Sequence, residues 1–259
     1  MKRLILPAFL ILFSITAGFF SCKKDAAPKL FLGYDYFPNT VGKYIIYDVD
    51  SIVCSSLDYK VDTFSYQLKE LVQSIFMDNS NRPTMRIERY IRNFHKDSCK
   101  YDALWTLKNI WTANRTVTDA EKVESNVRYV KLTFPVKANA TWNGNADNTL
   151  GEWDYNYTIV NQPQAVIDTA YPVAGTLCPP AVATSQFDSV LTVLQVDCTS
   201  VISKKYYLEK YAANIGLIYK EVIDVIDERS TIWNGQTPIL QRDSIAGTLK
   251  YEVRINTHN

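Results

Sequence analysis

The run Phe94-His95-Lys96-Asp97-Ser98-Cys99 sets a base, an acid and two kinds of nucleophile side by side. Such a set does chemistry only when its members converge on one reacting atom, which neighbours along a turn do not do. The run therefore reads as a hairpin turn carrying a surface histidine. His258 is the other histidine, and the sequence has no glycine-rich phosphate loop, GxSxG elbow or HExxH helix. No catalytic residue, metal site or cofactor is expected. Asn143–Glu152 (NGNADNTLGE) is rich in side-chain oxygens, and Ca²⁺ takes about six to eight of them. The stretch lacks the alternating acids and sixth-place glycine of an EF-hand loop, so it reads as a polar turn. Trp142 and Trp153 flank it. Two indoles at its base, with Asn145 and Asp147 as polar handles, could hold a sugar ring; equally, both could cap the core.

Composition removes other classes. The formal charge is +1, with 28 basic residues against 27 acidic ones. That balance offers no basic field for nucleic acid. Lys2 and Arg3 precede an uncharged run from Leu4 to Phe20, the form of a secretory signal. The run falls short of the roughly 20 apolar residues of a comfortable membrane span and is broken by Pro7 and Gly18.

The junction Ser21-Cys22-Lys23-Lys24-Asp25 resembles a bacterial lipobox, and its charged continuation is similar to lipoproteins of Bacteroidota. The usual pattern has Leu three places before the cysteine and a small residue two before it; here these are Phe19 and Phe20. The resemblance implies diacylation of Cys22, with acyl chains contributing about 0.8 kcal/mol per buried CH₂. It implies a signal peptide over 1–21 and a lipidated tether over 22–33; with no Gly/Ser- or Pro-rich linker in mid-chain, 34–259 reads as one domain. Further along, Tyr36-Phe37-Pro38 with Gly42 and Tyr44, Phe134-Pro135 with Trp142, and Glu209-Lys210-Tyr211-Ala212 with Gly216-Leu217-Ile218-Tyr219 are similar to uncharacterised lipoproteins of the same group. That likeness carries a fold and an outer-membrane address, on the periplasmic or the surface side, but no active site.

The elements that must position these residues are strands. Phe64, Tyr66 and Leu68 alternate with Ser65, Gln67 and Lys69; Tyr155, Tyr157 and Ile159 alternate with Asp154, Asn156 and Thr158. Strands are expected near 43–53, 63–77, 84–94, 102–113, 126–136, 153–162, 187–197, 204–211, 216–227 and 248–256. Thr118-Asp119-Ala120-Glu121 resembles a capped first turn, so 114–125 could be a short helix, the most helix the sequence allows. The fold class is mainly β: an antiparallel meander of about ten strands curled into a half-barrel, a barrel or a two-layer sandwich. Phe37-Pro38 before Tyr44 and Phe134-Pro135 before Trp142 form a weak internal echo.

With Cys22 carrying lipid, Cys54, Cys99, Cys178 and Cys198 remain for two disulfides. A meander brings the ends of its first and third strands to one edge, which favours Cys54–Cys99 and leaves Cys178–Cys198 by subtraction. The leading function is a non-catalytic envelope lipoprotein, held to the membrane by its N-terminal lipid, that binds an envelope protein or a glycan or serves as a scaffold. The alternative is a carrier of an apolar ligand inside the curled sheet, and the third reading is a glycan-binding module. Unfilled apolar volume in the interior would favour the carrier.

Overall fold

Period-two alternation puts Tyr47, Val49, Leu68 and Ile87 on one face of their strands, and that face is buried. The computed structural model describes residues 31–54, 61–169, 182–200, 203–227 and 245–258. The signal, Cys22 and most of the tether lie outside them. Residues from Leu32 onward form one compact unit.

Among the described residues thirteen strands follow in chain order: β1 (Tyr44–Cys54), β2 (Val61–Met77), β3 (Pro83–His95), β4 (Lys100–Tyr101), β5 (Thr106–Arg115), β6 (Asp119–Glu124) and β7 (Val127–Thr133). Then come β8 (Thr141–Asn143), β9 (Asp154–Thr169), β10 (Val182–Thr199), β11 (Ser203–Ala212), β12 (Gly216–Asp227) and β13 (Ile245–His258). The order across the sheet is β7-β6-β5-β3-β2-β1-β13-β12-β11-β10-β9-β8, with β4 paired only to β3. Two meanders therefore meet where β1 pairs antiparallel with β13. The echoed Phe-Pro dipeptides precede the first strand of each meander, and Phe37 and Phe134 share one buried cluster.

The outermost strands, β7 and β8, are joined by residues 134–140 alone. Laid flat, twelve strands would hold them about 50 Å apart at the usual strand spacing. The connection reaches roughly 28 Å fully extended. The sheet has to curl, and it forms a half-barrel. Backbone and side-chain hydrogen bonds draw its two edges together. The Val130 amide donates to the Gly144 carbonyl at 2.9 Å, and the Trp142 indole N–H donates to the Val130 carbonyl at 2.8 Å. The Tyr157 hydroxyl accepts from the Thr133 amide and donates to the Thr133 carbonyl, both at 2.7 Å.

A 3₁₀ turn, Tyr34–Tyr36, lies across one end. The Tyr36 hydroxyl pairs with Ser189 Oγ at 2.9 Å, and the Asn214 amide donates to the Asp35 carbonyl at 2.8 Å. Arg115 Nη1 donates to the carbonyls of Tyr34 and Phe37. The main core accordingly gathers Tyr36, Met85, Leu132, Tyr157, Leu191 and Tyr211 from all around the curl.

One expectation is corrected. The 114–125 segment is no helix: β5 and β6 pair as a hairpin, Thr112↔Val123 to Arg115↔Ala120. Thr116 Oγ1 accepts the amides of Thr118 and Asp119, so the residues that imitate a helix cap close a turn between strands. The short strands β4 and β8 were too brief for alternation to reveal.

Gly144 occupies the seam with its missing side chain aimed at Tyr155: a Cβ there would fall onto the phenol ring. Gly144→Ala should lower the urea-measured unfolding free energy by about 1–3 kcal/mol. Asp147→Ala, exposed in the same loop, should change it by less than about 0.5 kcal/mol. Equal effects would mean that the seam does not depend on this contact.

Candidate functional site

The inner face carries charge as well as apolar groups. Lys131 stands where the β6–β7 register shifts between Ala120 and Glu121, so no residue opposes it. Such a bulge re-aims a side chain, and Lys131 is 4% exposed. Its ammonium lies 2.7 Å from Glu209 of β11 and 3.4 Å from Glu124 of β6. Lys220 of β12 closes the figure, 3.3 Å from Glu209 and 3.5 Å from Glu124. The result is a four-membered ring of alternating charge bridging the two meanders. The Tyr211 hydroxyl adds a 2.5 Å hydrogen bond to Glu209.

A second ionic group lies beside the ring. Glu70 of β2 takes Arg89 Nε at 2.8 Å and Lys122 Nζ at 2.9 Å. Arg89 also donates to Asn109 Oδ1, and its guanidinium stacks 3.4 Å from the centre of the Trp111 ring.

Burial pushes the carboxyls of Glu70, Glu124 and Glu209 upward, yet the neighbouring cations outweigh it and hold all three below the ordinary range. Lys122 acts first on Glu70, and Lys131 on the other two. Burial likewise lowers Lys131, and Glu124 with Glu209 raise it above its usual value. Burial pushes the phenols of Tyr155 and Tyr157 up to about 12.

Two cavities flank these groups and share Tyr47, Glu70, Lys122, Glu124 and Leu217. One, of ≈ 90 Å³, lies towards Phe37, Pro38 and Met85. The other, of ≈ 280 Å³, lies towards Arg89, Lys108 and Trp111.

The residues singled out by sequence lie elsewhere. Trp142 is half-buried against Tyr155 and Tyr157, with its N–H spent on the seam. Trp153 packs edge-on to Tyr207. Asn145 is buried rather than presented as a handle: its amide donates to the Gly151 carbonyl, and its oxygen accepts from Asn148. Asp147 is exposed. The loop is closed upon itself by hydrogen bonds, which corrects the expectation for Asn145.

His95 is exposed, with Nε2 2.6 Å from Asp102 Oδ1. Cys99 is disulfide-bonded, so it offers no thiol beside that histidine. Cys198 is a free, exposed thiol, which overturns the Cys178–Cys198 pairing. Cys178 and the side chain of Cys54 lie outside the described residues. Among the described residues, no cluster of three or more His, Cys, Asp or Glu side chains could hold a metal.

Sequence reasoning missed the ionic interior because charged residues in an alternating strand read as its wet face. A faint signal existed in Tyr129-Val130-Lys131-Leu132, where a lysine interrupts an apolar run. No family model matches the chain, and neither a curated protein nor a solved structure matches it.

The shifted groups set a pH profile. The three carboxyls bind fewer protons folded than unfolded in acid, so their stabilisation is complete above the ordinary value of 4.5 and lost as pH falls through their folded values. The two tyrosines act oppositely: the unfolded chain ionises near 10.0 while the folded one keeps its protons, so stability falls above that pH. Chemical unfolding across pH should show a plateau from about 6 to 9 with losses on both sides. Stability that rose from pH 6 to pH 3.5 would contradict the buried ionised carboxylates.

Proposed function

We propose that this is a non-catalytic lipoprotein of the bacterial outer membrane, anchored through Cys22, whose β domain is a rigid scaffold for an envelope protein or glycan. One observation carries the reading: the interior of the curled sheet is occupied by the protein's own tyrosines and ionic ring. A calyx for a lipid needs an open apolar lumen. Ligand pockets of drug size run to about 300–1,000 Å³, whereas the two cavities beside the ionic groups are ≈ 90 and ≈ 280 Å³ and share charged walls. The lipid-carrier reading is weakened accordingly.

The anchor rests on Lys2, Arg3, the apolar run and Ser21-Cys22. Cys22→Ala should move the protein from the membrane fraction to the soluble one and abolish labelling with an alkyne fatty acid. Native mass spectrometry of the purified domain should find no co-purified acyl lipid. Unchanged fractionation of Cys22→Ala would sink the anchor, and a stoichiometric lipid inside the domain would restore the carrier.

We further propose Cys54–Cys99 as a disulfide. Antiparallel pairing of β1 with β2 and of β2 with β3 brings the C-terminal ends of β1 and β3 to the same end of the sheet. The Tyr101 hydroxyl donates to Asp48 at 3.1 Å, so the β4 segment folds back over β2 towards β1. Closing this loop stabilises the fold by about 4 kcal/mol in the chain-entropy treatment. Non-reducing peptide mapping should recover a Cys54–Cys99 peptide and an alkylated Cys198. A Cys99–Cys178 peptide would refute the pairing.

A further inference from the structure

The larger cavity opens through the wall of the half-barrel. β6 pairs with β5 only from Thr112 to Arg115, and the β6–β7 hairpin ends at Ser125 and Asn126, both with positive φ as in a two-residue turn. β5 continues past this tip to Thr106, and exposed Ser125 and Lys108 line the cavity there.

Its described lining has four cations (Arg89, Lys108, Lys122 and Lys220) against two carboxylates, Glu70 and Glu124. Arg89 and Lys122 share Glu70, and Lys220 reaches Glu124. Lys108 has no carboxylate among the described residues, its ammonium lying 4.9 Å from the centre of the Tyr66 ring. It too stands at a register shift, between the pairs Arg89↔Asn109 and Tyr90↔Leu107, so a bulge turns it. Partial desolvation of its ammonium at the cavity mouth, with repulsion from Arg89, lowers its pKa.

A second, independent observation is the buried indole N–H of Trp111, which lines the cavity and has no hydrogen-bond partner. Buried donors are normally satisfied. The remaining wall includes the apolar surfaces of Tyr47, Leu68 and Leu217.

We infer that this side cavity binds a small organic carboxylate, its anionic head between Lys108 and the Trp111 N–H, and its short apolar body against Leu68 and Leu217. The head would supply the acceptor that the indole lacks and the charge that Lys108 lacks, and a charge-assisted pair is about twice as strong as a neutral one. At ≈ 280 Å³ the space suits a body of a few carbons and no membrane lipid. The scaffold reading does not require this site and survives its failure.

Isothermal titration of the purified full-length protein with hexanoate tests it, with hexanol and inorganic phosphate as comparison probes. Saturable hexanoate binding is expected, with hexanol and phosphate at least tenfold weaker. Lys108→Met keeps the stem and removes the charge; Trp111→Phe keeps a ring and removes the donor. Each should weaken hexanoate on the order of tenfold, the loss of one charge-assisted hydrogen bond. Lys108 lies at the surface, so Lys108→Met should retain the wild-type circular dichroism and melting midpoint. Absence of saturable hexanoate binding overturns the proposal. So does equal binding of hexanol, preference for phosphate, or unchanged affinity in a folded Lys108→Met.

Discussion

A charge inside a protein has to be answered by another, because leaving it alone in a poor dielectric costs several kcal/mol. Lys131 and Glu209, 4% and 1% exposed, answer each other across the interior at 2.7 Å. Glu124 and Lys220 complete the alternation. The partners come from β6 and β7 in one meander and β11 and β12 in the other. Flattening the sheet would leave Glu124–Lys131 and Glu209–Lys220 as pairs within each meander but would break Lys131–Glu209 and Lys220–Glu124 between them, so the ring ties the curl together.

That dependence explains the filled interior. A lumen lined only by Val and Leu could stay open or collapse in several ways, whereas ion pairs and hydrogen-bonded phenols accept few arrangements. Tyr157 sits between the amide and carbonyl of Thr133, and Tyr211 holds Glu209. Two bulges turn Lys131 and Lys108 from the positions that plain alternation would give them. The first seals the interior and the second lines the cavity that opens through the wall.

Much of the architecture was legible because its cause is local. Tyr155 and Tyr157 alternate with Asp154 and Asn156 and are buried as that pattern requires. β1, β2, β3 and β12 lie within two residues of where alternation drew them. β6 was misread because Thr118 and Asp119 can close a hairpin or cap a helix, and only pairing with β5 and β7 decides. The ionic interior was illegible for another reason. Glu70 and Arg89 look by their charge like residues of a wet face, yet each is in phase with a buried neighbour of its own strand, Leu68 and Ile87, and the register pairs them with each other. The tryptophan loop was overvalued because an Asn-Gly turn suggests exposure, while Asn145 is consumed by its own loop.

The most direct measurement is a double-mutant cycle on Lys131→Met and Glu209→Leu by urea unfolding. Each single variant leaves buried charge unmatched and should lose about 3–5 kcal/mol. The double variant should lose clearly less than the sum, with a coupling of about 1–3 kcal/mol. Losses that add within about 0.5 kcal/mol would contradict the ring as the tie between the two meanders.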